Sequence, residues 1–134
     1  DGVKYYNDSI GTSPTRTMAC LDSFEQKLIL IAGGYDKGVP FTQLGLAMVE
    51  KVKVLILTGD TATAIKKAVE EAEGYAESGL QLIETKDLAA AVSAAWEIAR
   101  EGDVVVLSPA CAAFDRFKNF MERGKVFKQL VNAL

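Results

Sequence analysis

The 134-residue sequence contains no histidine. A chain without histidine cannot carry a Ser-His-Asp triad, a Cys-His pair, an H-E-x-x-H zinc site or a histidine proton shuttle. Any chemistry at this chain must therefore use Lys, Arg, Asp, Glu, Ser, Thr or backbone amides.

Cysteines, excess basic charge and long apolar runs are also scarce. The two cysteines, Cys20 and Cys111, form no C-x-x-C motif, so we expect neither a disulfide framework nor a thiolate zinc site. Fifteen basic and eighteen acidic residues give a net charge of -3, so we expect no nucleic-acid partner. No apolar run approaches the length of a membrane helix and no signal peptide is visible, so we expect no membrane partner.

The composition that remains is typical of one folded domain. Hydrophobic residues make up 49% and charged residues 25% of the chain. We therefore expect a single domain over residues 1–134. Because the sequence starts at Asp1 without an initiator Met, we expect it to be a piece of a longer protein.

Apolar runs about 25 residues apart predict the strands, since that is the length of one strand–helix unit. The predicted strands are 3–6, 28–32, 54–57, 80–83 and 104–107. Ser13 and Pro14 predict the start of a first helix. Further helices are predicted from apolar stripes over 41–51, 62–72, 88–99 and 126–134. This alternation predicts an open α/β sheet with right-handed crossovers. We further expect Asp60 and Thr85 to cap helices, and Trp96 and the methionines to be buried or partly buried.

Ligands of open α/β sheets bind beyond the carboxyl ends of the strands, so the turns there are candidate sites. The turn 7–14 offers free amides to an anion, and Asp8 could accept hydrogen bonds from ribose-like hydroxyls; an Asx turn with a helix cap is the alternative. The turn 33–38 places Lys37 at a strand end, where it suits phosphate or carboxylate, or is simply solvated.

Two further turns follow predicted strands. The turn 58–62 has what any strand–helix crossover needs, and we interpret it as structural. The run 108–124 is too long for a minimal turn, and its small residues allow close approach of a ligand. Cys111 lacks a histidine base, so we interpret it as a packing residue rather than a nucleophile.

Three motifs together resemble the C-terminal domain of the Mur ligase family, in the branch that adds D-glutamate to UDP-N-acetylmuramoyl-L-alanine. They are N-D-S-I-G-T-S-P at 7–14, A-G-G-Y-D-K-G at 32–38, and S-P-A-C-A at 108–112 followed by K-N-F and E-R-G. The resemblance implies a Rossmann-like, mostly parallel sheet of about six strands, one of them antiparallel at an edge, with helices on both faces. It also implies that this chain is the third, amino-acid-binding domain of a bacterial cytoplasmic enzyme of peptidoglycan synthesis and is inactive alone.

The resemblance also implies the reaction and its partners. An ATP-dependent ligase of this kind forms an acyl phosphate, which the amine of D-glutamate then attacks. UDP-N-acetylmuramoyl-L-alanine binds the first domain, and the central domain mainly holds ATP and Mg²⁺. We therefore expect D-glutamate to contact this domain and no metal ligand to come from it. A stand-alone α/β module that binds a small anion without catalysis is the alternative.

Residue roles follow from the same resemblance. Asp8 matches the acid that holds the ATP ribose, and Thr12 matches a hydroxyl that contacts D-glutamate. Lys37 matches the cation that binds the carboxylate of D-glutamate, and we expect it to be catalytic. Phe120 lies where the family offers a backbone contact to the side-chain carboxylate, and Arg123 lies near the nucleotide.

Two positions depart from the family pattern. Many members have Lys where this chain has Ile10, and Ser where it has Ala113. Both family residues help to hold the amino acid or phosphate. We expect Ser108, Ser9 or Lys118 to replace them as donors, or the amino-acid preference to differ.

Overall fold

The computed structural model describes residues 2–9, 11–34, 38, 40–111 and 119–134, which form five strands and six helices. The strands are β1 (Lys4–Asn7), β2 (Leu28–Ala32), β3 (Val52–Leu57), β4 (Gln81–Glu84) and β5 (Val104–Leu107). The helices are α1 (Pro14–Asp22), α2 (Thr42–Lys51), α3 (Ala62–Glu70), α4 (Tyr75–Ser78), α5 (Leu88–Ile98) and α6 (Phe120–Asn132). All five predicted strands are present, and only the short α4 has no predicted counterpart.

The strands form one sheet in the order β1-β5-β2-β3-β4, and its pairings are all parallel. Every residue of β2 and β5 is buried, because helices cover both faces of the sheet. Helices α1, α2 and α3 pack on one face, and α5 and α6 pack on the other. The predicted α/β fold with helices on both faces is therefore confirmed.

The strand count differs from the expectation of about six. The described residues supply five strands, and none of them is antiparallel. The sixth, antiparallel edge strand came from the family resemblance rather than from an apolar run.

The residues that cap the helices agree only partly with the predicted caps. Ser13 caps α1 as predicted, since its hydroxyl accepts from the backbone N–H of Arg16. The prediction for Asp60 is wrong, because Thr61 holds the cap position of α3. The prediction for Thr85 is also wrong: its hydroxyl donates to Leu57, and Asp87 caps α5.

The last helix begins earlier than its apolar stripe suggests. The stripe starts at Val126, whereas α6 starts at Phe120 with Asn119 as its cap. The first turn is largely exposed, so the hydrophobic pattern does not register it. Trp96 contradicts the burial prediction with 52% of its surface exposed, because the inward positions of α5 are 88, 91, 92 and 95. Met121 is exposed as well, whereas Met48 is fully buried as predicted.

Parallel strands bring the loops that follow them to one edge of the sheet. The backbone N–H of Asp8 donates to Leu107 over 2.7 Å, which ties the loop after β1 to the end of β5. The N–H of Gly33 donates to Pro109 over 2.8 Å, which ties the loop after β2 to the loop after β5. This carboxyl edge therefore holds the candidate turns together.

Candidate functional site

Asp8 is fixed at the carboxyl edge by a chain of buried hydroxyls. The Ser108 hydroxyl donates to the Oδ2 atom of Asp8 over 2.6 Å. Ser108 is 0% exposed, and its Oγ lies 2.9 Å from the Thr17 hydroxyl, which is also buried. One carboxylate oxygen of Asp8 is thus held from inside the fold. The Cys20 thiol lies beside the same carboxylate.

Asp8 opens onto a hollow of about 740 Å³ between β1 and α1. Its lining residues are Tyr6, Asn7, Asp8, Arg16, Ala19, Cys20, Ser23 and Phe24. The Tyr6 and Phe24 rings meet edge to face with centroids 5.2 Å apart. Burial and the nearby Asp8 carboxylate raise the pKa of the Cys20 thiol to about 11, so Cys20 is a protonated thiol at neutral pH. The hollow is therefore bordered by the Asp8 carboxylate, the Arg16 side chain, two aromatic rings and a neutral thiol.

Arg123 is a buried cation that binds the candidate loops. It is 3% exposed, and its guanidinium donates to the Ser9 carbonyl and the Cys111 carbonyl, each over 2.9 Å. Its Nε also donates to the Ser9 hydroxyl over 3.1 Å. The predicted contact of Arg123 with a nucleotide stays a prediction, but these hydrogen bonds give the side chain partners inside the fold.

Phe120 stands at the amino end of α6, close to the same loop. The Ser9 hydroxyl donates to the Phe120 carbonyl over 2.6 Å. The Asn119 side chain accepts from Glu122 and leaves the Phe120 N–H without a partner within the described ranges. Such an amide at a helix N-terminus suits an anion.

Thr12 lies one residue before the cap of α1, so it also stands near a helix N-terminus. The neighbouring Gly11 donates to the Asp8 carbonyl, and its own carbonyl accepts from Ala110, both over 2.8 Å. Asp8, Thr12, Phe120 and Arg123 therefore converge on one edge of the sheet. Lys37, Ile10, Ala113 and Lys118 lie outside the described residues.

The other two turns have structural partners. The Thr61 hydroxyl accepts from the Gly34 N–H over 3.0 Å and lies 3.2 Å from the Cys111 sulfur. Both side chains are buried, which agrees with the structural interpretation of the turn 58–62 and with Cys111 as a packing residue. A cavity of about 310 Å³ lies beside this turn, between α5 and α6, and its walls are mainly apolar.

Two of the suggested replacement donors are used within the fold. The Ser9 hydroxyl serves Phe120 and Arg123, and the Ser108 hydroxyl serves Asp8 and Thr17. Both hydroxyls therefore donate to acceptors inside the fold, and their role toward a ligand stays a prediction. Sequence reasoning missed both networks because their members are about 100 residues apart. The one available signal is that S-P-A-C-A and E-R-G belong to the same motif set as N-D-S.

A family model described as "Mur ligase, glutamate ligase domain" matches residues 1–111 of the chain. This chain belongs to the Mur ligase family. It is 51% identical over 136 aligned residues to a UDP-N-acetylmuramoylalanine–D-glutamate ligase of Acetivibrio thermocellus, and 48% identical over 134 residues to one of Clostridium botulinum strain Hall. Each alignment covers 100% of this chain and 29% of the relative, so the chain spans less than a third of their length.

Solved structures agree on the fold. A murein peptide ligase of Psychrobacter arcticus superposes with a TM-score of 0.57 over 91% of this chain and 25% of its own, at 14% identity. A UDP-N-acetylmuramoyl-L-alanyl-D-glutamate–2,6-diaminopimelate ligase superposes with a TM-score of 0.57 over 80% of this chain and 24% of its own, at 21% identity. No helix within the described ranges has the length and apolar character needed to cross a bilayer.

Proposed function

We propose that this chain is the C-terminal, D-glutamate-binding domain of a three-domain, ATP-dependent ligase that joins D-glutamate to UDP-N-acetylmuramoyl-L-alanine in the bacterial cytoplasm. The names and identities of the curated relatives support this assignment. The observation that carries it is the convergence of the Asp8 loop, the α1 start and the α6 start on one edge of the sheet. The UDP-sugar, the ATP P-loop and Mg²⁺ belong to the other two domains in this proposal.

Asp8 is the proposed contact to the ATP ribose. Its Oδ2 accepts from Ser108, which holds the carboxylate in place beside the hollow. A carboxylate oxygen suits ribose, whose hydroxyls can both donate to it. The hollow beside Asp8 has the open space that a nucleoside would need on this side.

D-Glutamate is the proposed occupant of the space between the two helix starts. It carries two carboxylates, and the amino ends of α1 and α6 both favour negative charge. Thr12 adds a hydroxyl beside α1, and the Phe120 N–H is the donor at α6. Lys37 is proposed as the catalytic cation that binds a D-glutamate carboxylate, as the family resemblance implies.

The proposed reaction has two steps. The carboxylate of UDP-N-acetylmuramoyl-L-alanine attacks the γ-phosphorus of ATP, and ADP leaves to give an acyl phosphate. The amine of D-glutamate then attacks the acyl carbon, and inorganic phosphate leaves as the amide forms. In this proposal the domain accelerates the reaction by positioning. It holds D-glutamate and the nucleotide at one edge of the sheet, so that the reactants meet within one ordered complex.

Magnesium is proposed to bind elsewhere in the enzyme. Within the described ranges, no group of three His, Cys, Asp or Glu side chains could hold a metal ion. Mg²⁺ prefers carboxylate oxygens together with substrate phosphates, and such sites accompany a P-loop. The chemistry Mg²⁺ supplies when bound is neutralisation of phosphate charge.

Asp8→Asn in the complete ligase tests the nucleotide role. Asparagine keeps an oxygen for Ser108 but loses the charge, so the KM for ATP should rise roughly tenfold or more, as loss of a charged hydrogen bond predicts. The KM for D-glutamate should stay within about twofold. Asp22→Asn is the matched control, since Asp22 is an exposed acid at the far end of α1. An unchanged KM for ATP in folded Asp8→Asn would overturn the assignment.

Lys37→Ala in the same enzyme tests the amino-acid role. Loss of a cation that binds a carboxylate should raise the KM for D-glutamate by about tenfold or more, with a fall in kcat. Lys67→Ala is the control, because Lys67 lies on α3 outside the candidate turns. Ligation kinetics equal to those of the parent enzyme would remove Lys37 from the proposal.

A further inference from the structure

Arg123 and Ser9 form a buried latch that the proposed chemistry does not use directly. A guanidinium is expensive to bury unless its donors are paired. Arg123 meets that need with two backbone carbonyls and one hydroxyl, which belong to Ser9 and Cys111. The side chain therefore joins α6 to the loop after β1 and to the start of the loop after β5.

The Ser9 hydroxyl is the centre of this latch. It accepts from Arg123 over 3.1 Å and donates to the Phe120 carbonyl over 2.6 Å, and Ser9 is only 5% exposed. The hydroxyl therefore accepts one hydrogen bond from α6 and donates one to it. An alanine would fill nearly the same space, so the packing alone does not require serine here.

Asn7 holds the same loop from the other side of Asp8. Its Oδ1 accepts from the Ser9 N–H over 3.1 Å, and its Nδ2 donates to the Gly124 carbonyl over 2.9 Å. A Cβ on Gly124 would come within 3.1 Å of both Asn7 and Ser9, so helix and loop are already in close contact. Both neighbours of Asp8 are therefore fastened to α6.

We propose that Ser9 and Arg123 are positioning residues that set the spacing between Asp8 and the backbone of Phe120. This inference rests on the proposed function, in which Asp8 binds the nucleotide and the Phe120 N–H binds D-glutamate. The latch joins the two contacts through one hydroxyl and one guanidinium. Displacement of the α6 start by a fraction of an ångström would move the D-glutamate donor relative to the nucleotide.

Ser9→Ala in the complete ligase tests the latch, with Ser78→Ala as its matched control. The Ser78 hydroxyl also donates to a backbone carbonyl, over 2.7 Å to Tyr75, and accepts from a backbone N–H, over 3.1 Å from Leu80. It lies before β4 at the opposite edge of the sheet. Both variants remove two hydrogen bonds, so both should lower the melting temperature slightly.

Steady-state kinetics separate positioning from stability. Ser9→Ala should raise the KM for D-glutamate about tenfold, in the range that small misplacements cause, whereas Ser78→Ala should leave it within about twofold. Arg123→Lys keeps the charge but cannot reach three acceptors, so it should shift the same constant further. Should Arg123→Lys fail to fold, the Ser9→Ala comparison still decides.

Two outcomes would overturn the inference. One is a Ser9→Ala enzyme with the parent's KM for D-glutamate; the other is an equal shift in Ser9→Ala and Ser78→Ala. If Asp8→Asn still raises the KM for ATP in that case, the proposed function stands and only the latch fails. If Asp8→Asn and Lys37→Ala also leave the kinetics unchanged, the proposed function itself fails.

Discussion

Gly33→Ala should be among the most damaging substitutions at the carboxyl edge. Gly33 is the first residue after β2 and has a φ of +112°, in the left-handed region that disfavours side chains. A Cβ there would stand 1.9 Å from the Thr58 carbonyl oxygen, well inside the 3.0 Å below which Cβ contacts are essentially never found. The loop after β2 and the loop after β3 would have to separate by about an ångström.

The size of the effect follows from what that separation breaks. Strain at φ costs about 1–2 kcal/mol. The neighbouring backbone hydrogen bonds, Gly33 to Pro109 at 2.8 Å and Thr58 to Ala32 at 3.0 Å, contribute about 1 kcal/mol each. We therefore expect a loss of roughly 3–4 kcal/mol, a large part of the 5–15 kcal/mol by which domains are usually stable.

Urea unfolding of the 134-residue chain, followed by circular dichroism, measures this loss. Gly79→Ala is the matched control, because Gly79 has a φ of +72° but nothing within 4 Å of the added Cβ. That substitution should cost only about 1 kcal/mol, from backbone strain alone. Equal losses in the two variants would refute the close approach of the strand ends.

Two further predictions concern ionisable groups. Burial alone would raise the pKa of Asp103, but hydrogen bonds from Lys53 and from the Arg100 backbone, with the charges of both residues, lower it overall. The ion pair thus stabilises the fold above the ordinary carboxyl pKa and is lost as pH falls below about 4, so Lys53→Met should cost roughly 1 kcal/mol at pH 7 and less at pH 3 in urea unfolding; a pH-independent cost would contradict this. Asp8→Asn should lower the pKa of Cys20 and speed its alkylation at pH 9 several-fold, measured by peptide mass spectrometry, and an unchanged rate would place Asp8 too far from the thiol.

The sheet was readable from the sequence because its strands are buried on both faces. Runs such as 28–32 and 104–107 are continuously apolar and short, and a run of that length favours a buried strand over a helix. The helix ends were harder, since the start of α6 depends on Asn119 and carries little hydrophobic pattern. Trp96 shows the same limit: periodicity identifies the inward stripe of α5 but does not predict the solvent exposure of the residue beside that stripe.

The candidate site was only partly readable. Asp8 and Thr12 stand in a turn that local chemistry marks, and the fold rule for parallel strands brings that turn to the ligand edge. The partners that hold Asp8 are another matter, because Ser108 lies 100 residues away and its hydroxyl gives no local signal. Arg123 likewise gives no local sign of burial: the family resemblance suggests only a position near the nucleotide, whereas its guanidinium donates to Ser9 inside the fold.

A crystal structure of the complete enzyme with a non-hydrolysable ATP analogue and D-glutamate would show both proposed contacts at once. We expect a ribose hydroxyl within hydrogen-bond distance of the Asp8 carboxylate and a D-glutamate carboxylate at the Phe120 N–H. We also expect Ser108 to keep its hydrogen bond to Asp8 Oδ2. Ligands bound at another edge of this sheet, or held entirely by other domains, would show that this domain does not bind them as proposed.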